Sequence, residues 1–342
     1  MSEFCPTRDD IHPVFRLSHA STRRLIHLIP DELAEVVPEH PLFSFSKSEN
    51  PRDGFTDISA RCFANAINRT AWWLAENLGQ PSHFEAVAYI GSSESATVKE
   101  LAFLLTPSAD DIRYLLFILA AIKVGYKMLL SSPRNNLDGH LNVLKKSNCQ
   151  IFLFAGDSNT DVQPILSRRQ MRALTVPTLG ELVDSSPVET YPYTKSFEEA
   201  QHDPCLILHT TGSTGLPKPI VWKNAMLTTY EAWRLVPPVD GYVPTTEIYQ
   251  QATRAYTSMP LFHTSGINAA ITWALSLGVT LVYGDPYVPP NAAYVAEMHE
   301  FAGVDASMGA PSIYEDLSRR EEWLEGLKGM HYIVASGGEY AA

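Results

Sequence analysis

An α/β fold with mostly parallel sheets flanked by helices is what the sequence predicts. Short apolar runs of strand length alternate with stretches of helical periodicity, and turn residues stand at the junctions. The chain has 342 residues, 45% of them hydrophobic, which is ample material for a large core. That length suggests two domains, or one domain with subdomains at about 40–200 and 201–342.

The elements follow in order. From Asp57 to Gly79 the residues Phe63, Ala66, Ile67, Ala71, Leu74 and Leu78 recur at helical spacing, with Gly79 as the C-cap. Phe84–Ile90 reads as a buried strand ending at Gly91. Ser108 opens an S-x-x-D cap before Tyr114, Phe117, Ile118, Ala121 and Ile122, a second helical face. A strand at Tyr126–Leu130, a helix at Asp138–Asn148 and a strand at Gln150–Phe154 come next. Residues 156–200, with Ser158, Asn159, Asp161, Pro177, Pro187 and Pro192, read as a long surface connection holding one short helix. The alternation then resumes. Strands are expected at Cys205–His209, Pro219–Trp222, Thr280–Tyr283, Val304–Met308 and Tyr332–Ala335. Helices are expected at Asn224–Leu235, Ser265–Leu277, Asn291–Phe301 and Ser312–Arg319.

Charge and cysteine usage narrow the function classes. The formal net charge is −12 and no Lys/Arg-rich run exists, so nucleic acid and an anionic membrane are poor partners. Cys5, Cys62, Cys149 and Cys205 are far apart and form no CxxC pair, which indicates neither a zinc site nor a disulfide framework. No apolar signal region opens the chain, and the most apolar stretch, Leu115–Val124, is too short to span a bilayer. The expected setting is soluble, reducing and cytoplasmic.

The most informative stretch is His209-Thr-Thr-Gly-Ser-Thr-Gly-Leu-Pro-Lys218, which leaves the end of an apolar strand. Gly212 and Gly215 free the backbone so that successive N–H groups can converge on phosphate oxygens. Thr210, Thr211, Ser213 and Thr214 add hydroxyl donors, and Lys218 adds a positive charge. The plain alternative is a polar turn between strands. A P-loop is excluded, because Pro217 stands at its second glycine and Pro219 follows the lysine. The dinucleotide fingerprint G-x-G-x-x-G fails as well.

Thr210–Lys218 resembles the nucleotide-phosphate loop of the AMP-binding superfamily, which includes acyl-CoA synthetases, luciferases and adenylation domains of nonribosomal peptide synthetases (NRPS). Three further stretches agree in order. Leu116–Tyr126 with Ser132-Pro-Arg-Asn135 resembles the helix, strand and turn before that loop. Pro260-Leu-Phe-His-Thr-Ser-Gly266 resembles the segment lining the acyl pocket, and Ala335-Ser-Gly-Gly-Glu339 resembles the strand end facing adenine and substrate. The wording is most similar to fungal NRPS-like adenylation-reductase enzymes. Two departures stand out. Glu339 and Tyr340 occupy positions where the family has a small residue and proline, and residues 92–107 are extra, as an insertion would be.

The resemblance implies the N-terminal large domain of the adenylate-forming fold, truncated. It implies that a carboxylic acid attacks ATP to give acyl-AMP and pyrophosphate, before transfer to CoA or to the phosphopantetheine of an acyl carrier domain. The cofactors implied are ATP and Mg²⁺. Thr210, Thr211, Gly212, Ser213, Thr214, Gly215 and Lys218 would hold phosphate, Gly337, Gly338 and Glu339 would face the nucleotide, and His263 and Lys218 would act on the reacting groups. Gly309–Tyr314 would form part of the acyl wall. Amino-acid-activating relatives carry an aspartate where His263 stands, so an acid without an α-amino group is expected. The family's magnesium carboxylate, ribose aspartate and lid lysine are expected beyond Ala342, leaving the C-terminal lid absent and these residues inactive alone. The rival reading is a non-catalytic nucleotide-binding remnant.

Overall fold

The computed structural model describes residues 23–91, 111–156, 159–210, 215–237, 239–286 and 288–337. In chain order the principal elements are α1 (Ile29–Val36), β1 (Pro41–Ser46), β2 (Phe55–Ser59), α2 (Ala60–Leu78), β3 (Ala86–Ile90), α3 (Arg113–Val124), β4 (Lys127–Leu130), α4 (Leu137–Lys146) and β5 (Ile151–Phe154). There follow α5 (Asn159–Arg168), β6 (Arg172–Thr175), β7 (Pro204–His209), β8 (Pro219–Lys223), α6 (Asn224–Ala232), β9 (Arg254–Thr257), α7 (Thr264–Ala269), β10 (Thr280–Tyr283), α8 (Ala292–Phe301), β11 (Ala306–Gly309), α9 (Pro311–Ser318) and β12 (Tyr332–Ala335).

The strands form two six-stranded sheets, ordered β6-β5-β3-β4-β7-β8 and β12-β11-β9-β10-β1-β2. Every pairing is parallel except β7 with β8 and β1 with β2, which bring an antiparallel strand to one edge of each sheet. The fold is therefore the expected mostly parallel α/β arrangement.

Strand alternation decides how the layers stack. In β3, Val87 and Tyr89 face a core shared with α2, α3 and the inner side of the second sheet, including Leu42, Phe43 and Leu281. Ala86, Ala88 and Ile90 face the other way, onto Val143 and Leu144 of α4 and Val162 and Ile165 of α5. On the second sheet, Tyr256 and Val282 point outward onto α8 and α9. Five layers result, helix–sheet–helix–sheet–helix, with α2 and α3 in the middle. Every residue of α3 is buried, as a helix clasped between two sheets must be. Burying each of its large apolar side chains stabilises the fold by roughly 1.5–3 kcal/mol. Lys123 is buried there too, and its ammonium is held by Asp31 at 2.5 Å and Asn68 at 2.8 Å. Gly125 ends the helix in the left-handed region at φ 101°.

Several expectations need correction. The helix expected from Asp57 begins at Ala60, capped by Ser59 accepting from the Cys62 N–H, and residues before it form β2. The connection 156–200 holds α5 and the strand β6, together with four-residue helical turns at Leu179–Leu182 and Phe197–Ala200. The helix expected through Leu277 is α-helical only to Ala269 and continues as a π-helix over Ala270–Ser276. Sheet membership does not change at residue 200, since β7 and β8 complete the sheet begun by β3. Ser108 and the extra stretch 92–107 lie outside the described residues. Among the described residues no helix is long and apolar enough to cross a membrane.

Candidate functional site

A cavity of about 580 Å³ opens at the carboxyl ends of strands from both sheets, the usual place for a ligand in such folds. On the first sheet its wall comes from Leu130 and the turn after β4, and from Leu208 and His209 at the end of β7. On the second it comes from Ser258–Pro260 and Phe262–Ser265 after β9, Ala310, Ser312 and Ile313 after β11, and Ser336 and Gly337 after β12. The floor is mixed, with Leu130, Leu208, Met259, Phe262 and Ile313 among polar groups. No Asp or Glu is among the described lining residues, and Arg134 is their only lysine or arginine.

The loop Thr210–Lys218 is described only at its two ends. Its mouth is closed by the Thr210 N–H donating to the Lys218 carbonyl at 3.1 Å and the Lys218 N–H donating to Thr210 Oγ1 at 3.3 Å. Asn142 of α4 donates to the Pro217 carbonyl at 2.7 Å. Thr211, Gly212, Ser213 and Thr214 lie outside the described residues. Gly215 and Lys218 are exposed, and Lys218 is not among the described residues lining the cavity.

His209, at the end of β7 where the loop begins, ties that strand end to the turn after β4. Its Nε2 accepts from the Ser132 N–H at 2.8 Å and from Asn135 Nδ2 at 3.1 Å. Nδ1 therefore carries the proton and donates to the Thr210 carbonyl at 3.0 Å. Asn135 also donates to Ser131 Oγ at 3.2 Å, and that hydroxyl is hydrogen-bonded to Nδ1 of the buried His140 at 2.8 Å. Burial first, then the neighbouring His209, pushes His140 down to about 4. The result is a hydrogen-bonded polar brace beneath the cavity.

His263 lines the cavity and also caps α7. Its Nδ1 accepts from the Ser265 N–H at 3.3 Å and lies 3.0 Å from Ser265 Oγ. That places the ring proton on Nε2, which has no protein partner among the described residues. Burial, then the Arg134 charge, then His209, hold His263 below its ordinary value. It is therefore a neutral donor at neutral pH. Two backbone features fix its place. A Cβ on Gly266 would come within 2.2 Å of the Pro260 carbonyl oxygen, so α7 can close onto that segment only with glycine there. Phe262 packs edge-on against Tyr114 of α3, with ring centroids 5.8 Å apart.

Gly337 lines the cavity at φ 95°, a conformation suited to glycine, and the Ser336 N–H donates to the Gly309 carbonyl at 3.1 Å. Gly338 and Glu339 lie outside the described residues. The sequence reading did not assign roles to Arg134 or His209. The turn Ser132-Pro-Arg-Asn135 and the strand-end position of His209 were the available signals. It also missed the role of Asp111, which accepts from Tyr89 OH at 2.9 Å and from Arg113 Nε at 2.9 Å beside the end of β3.

Fold and site together define a chain of the AMP-binding enzyme family, whose pattern matches residues 108–341. Two curated fungal proteins are among its relatives. The chain is 36% identical over 320 residues to the isocyanide synthase-NRPS hybrid crmA of Aspergillus fumigatus, covering 92% of this chain and 20% of that protein. It is 33% identical over 323 residues to a carboxylic acid reductase of Neurospora crassa, covering 93% of this chain and 29% of that one. The chain thus spans under a third of the length of these two curated relatives. Among solved structures, the N-terminal subdomain of NpsA from Klebsiella oxytoca is similar at a TM-score of 0.65 and 19% identity, over 93% of this chain and 69% of that one. The same subdomain has been solved in complex with 3-hydroxybenzoyl-AMSN. The N-terminal domain of FACL13 from Mycobacterium tuberculosis has a TM-score of 0.67 at 16% identity, over 93% of this chain and 71% of that one.

Proposed function

We propose that this chain binds a carboxylic acid lacking an α-amino group, together with ATP, for conversion to acyl-AMP and pyrophosphate. The observation that carries the reading is the cavity itself. It stands at the strand ends beside the pinned phosphate loop and has no carboxylate among its described lining residues. A bound ammonium would find no anion among the described lining residues, and burying it unpaired is costly. An aryl, keto or aliphatic acid suits the lining, and the 3-hydroxybenzoyl ligand of the Klebsiella neighbour makes aryl acids a natural first choice.

The residues divide the work. Thr210–Lys218 hold the triphosphate, with Lys218 supplying charge and the loop supplying N–H groups. Gly337, Gly338 and Glu339 face the nucleotide. His263 donates its Nε2 proton to the acid's carboxylate and so helps to fix the attacking oxygen near the α-phosphorus. The carboxylate oxygen forms the new bond to phosphorus, and pyrophosphate leaves with the electrons of the broken bond. No carboxylate in the described lining fits Mg²⁺, so no step is assigned to the ion. The acyl group then passes to a thiol, that of a carrier domain's phosphopantetheine or of CoA.

The test is acid-dependent ATP–pyrophosphate exchange by the full translation product, across aryl, keto, aliphatic and α-amino acids. Exchange with a non-amino acid supports the reading. ATP binding with no exchange for any acid would instead favour a non-catalytic nucleotide-binding protein.

A further inference from the structure

One cation in the cavity is left without a counter-ion. Arg134 lines it, is exposed, and makes no ion pair among the described residues. It is not on a loose arm. Ser132–Asn135 is a tight turn with Pro133 at its second position, closed by the Asn135 N–H donating to the Ser132 carbonyl at 2.9 Å. His209 holds the turn at both ends through the Ser132 N–H and Asn135 Nδ2. The Arg134 N–H itself donates to Ser132 Oγ at 3.3 Å. The backbone that carries the guanidinium is thus pre-set, which lowers the ordering cost of any ion pair it makes.

We propose that Arg134 holds the reacting carboxylate of the acid, in the cavity it shares with the Nε2 donor of His263. This rests on the acid-activation reading above and deepens it by assigning the cation. The charges match. The described lining offers one positive group and no negative one, which suits a monoanion. A planar guanidinium can grip a carboxylate through two parallel N–H donors. The Arg134 charge also reaches His263 strongly enough to depress its protonation, so the two groups face the same space. The triphosphate has its own cation in Lys218, which stands outside the described lining.

The experiment titrates benzoate, 3-hydroxybenzoate and hexanoate into the protein and follows the His263 ring signal by NMR, assigned by its loss in His263→Asn. Benzamide serves as the uncharged counterpart of benzoate. Arg134→Gln should weaken carboxylate binding about tenfold or more, the usual size for a lost charge-assisted pair. Arg134→Lys should recover part of it, and benzamide should bind both forms alike. Equal carboxylate affinity in Arg134→Gln would overturn the assignment while leaving acid activation standing. So would an Arg134→Gln defect confined to ATP, which would move the guanidinium to the triphosphate. If no carboxylate shifts His263 in the wild-type protein, the assignment fails, and pyrophosphate exchange then decides the broader reading separately.

Discussion

His263 has two duties that substitutions can separate. As the cap of α7 it accepts the Ser265 N–H, and as a cavity residue it presents Nε2. His263→Ala removes both, while His263→Asn keeps a capping oxygen. We expect the alanine form to lose about 1 kcal/mol or less of stability and the asparagine form to lose little. Exchange activity should fall in both. Equal activity in the asparagine variant would reduce His263 to a cap. Lys218 presents the simpler case. It is exposed, so Lys218→Ala should leave the unfolding midpoint unchanged and weaken ATP binding roughly tenfold. Calorimetry showing unaltered affinity in the folded variant would remove it from the phosphate site. At this scale the spaced motifs brought His263 and Gly337 to the cavity lining, while Lys218, also in a spaced motif, is not among the described lining residues. Arg134 and His209 were not assigned, because a single arginine in a turn and a single histidine at a strand end carry no spacing of their own.

Elements were legible in proportion to their burial. β3, α3 and β10 are buried throughout, so their apolar runs are continuous and their limits were close. β6 is an edge strand whose four residues are mostly exposed, and β2 is an edge strand with Thr56 and Asp57 facing solvent. Such strands show no apolar alternation to read. β9 lies inside its sheet yet opens with Arg254, whose guanidinium donates to Ser44 Oγ at 2.9 Å, and that charge hides the strand. The π-helical run Ala270–Ser276 could not be foreseen, since its periodicity differs little from an α-helix over seven residues. The start of α7 gives a prediction of its own. Gly266→Ala would set a Cβ against backbone atoms of Met259 and Pro260, at 2.7 Å and 2.2 Å from their carbonyl oxygens. Backbone cannot swing aside as a side chain can, so we expect a loss of about 1–3 kcal/mol and a displaced His263. A variant as stable as the parent in urea unfolding would contradict this packing.

The whole molecule is a pair of sheets held by a common helical layer, and its stability should depend on pH through buried histidines. Burial, then Lys123, holds His27 down to about 3; burial holds His299 down to about 4, as it does His140. Each sits below its ordinary 6.5, so the unfolded chain takes up protons that the folded chain refuses. Their stabilising contribution is full above pH 6.5 and is lost as pH falls toward 3–4, at about 1.4 kcal/mol per unit for each ring. Among the described residues neither ring nitrogen of His27 has a hydrogen-bond partner, so His27→Leu should retain stability at pH 7 and flatten the fall toward pH 5. Identical urea midpoints at pH 7 and pH 5 in the parent protein would contradict the burial of these rings. The mostly parallel architecture was visible from alternation alone. The sheet that joins β1 and β2 to β9–β12 was not, because that pairing links segments some 200 residues apart and leaves no local trace.

The central claim is that the cavity between the two sheets receives a non-amino carboxylic acid for activation by ATP. Acid-dependent ATP–pyrophosphate exchange by the full translation product tests it most directly, with each acid paired to its α-amino counterpart. We expect the non-amino member of the best pair to exchange at least about tenfold faster, since a buried ammonium lacks a partner anion among the described lining residues. Faster exchange with the α-amino acid, or no exchange with any acid, would contradict the account.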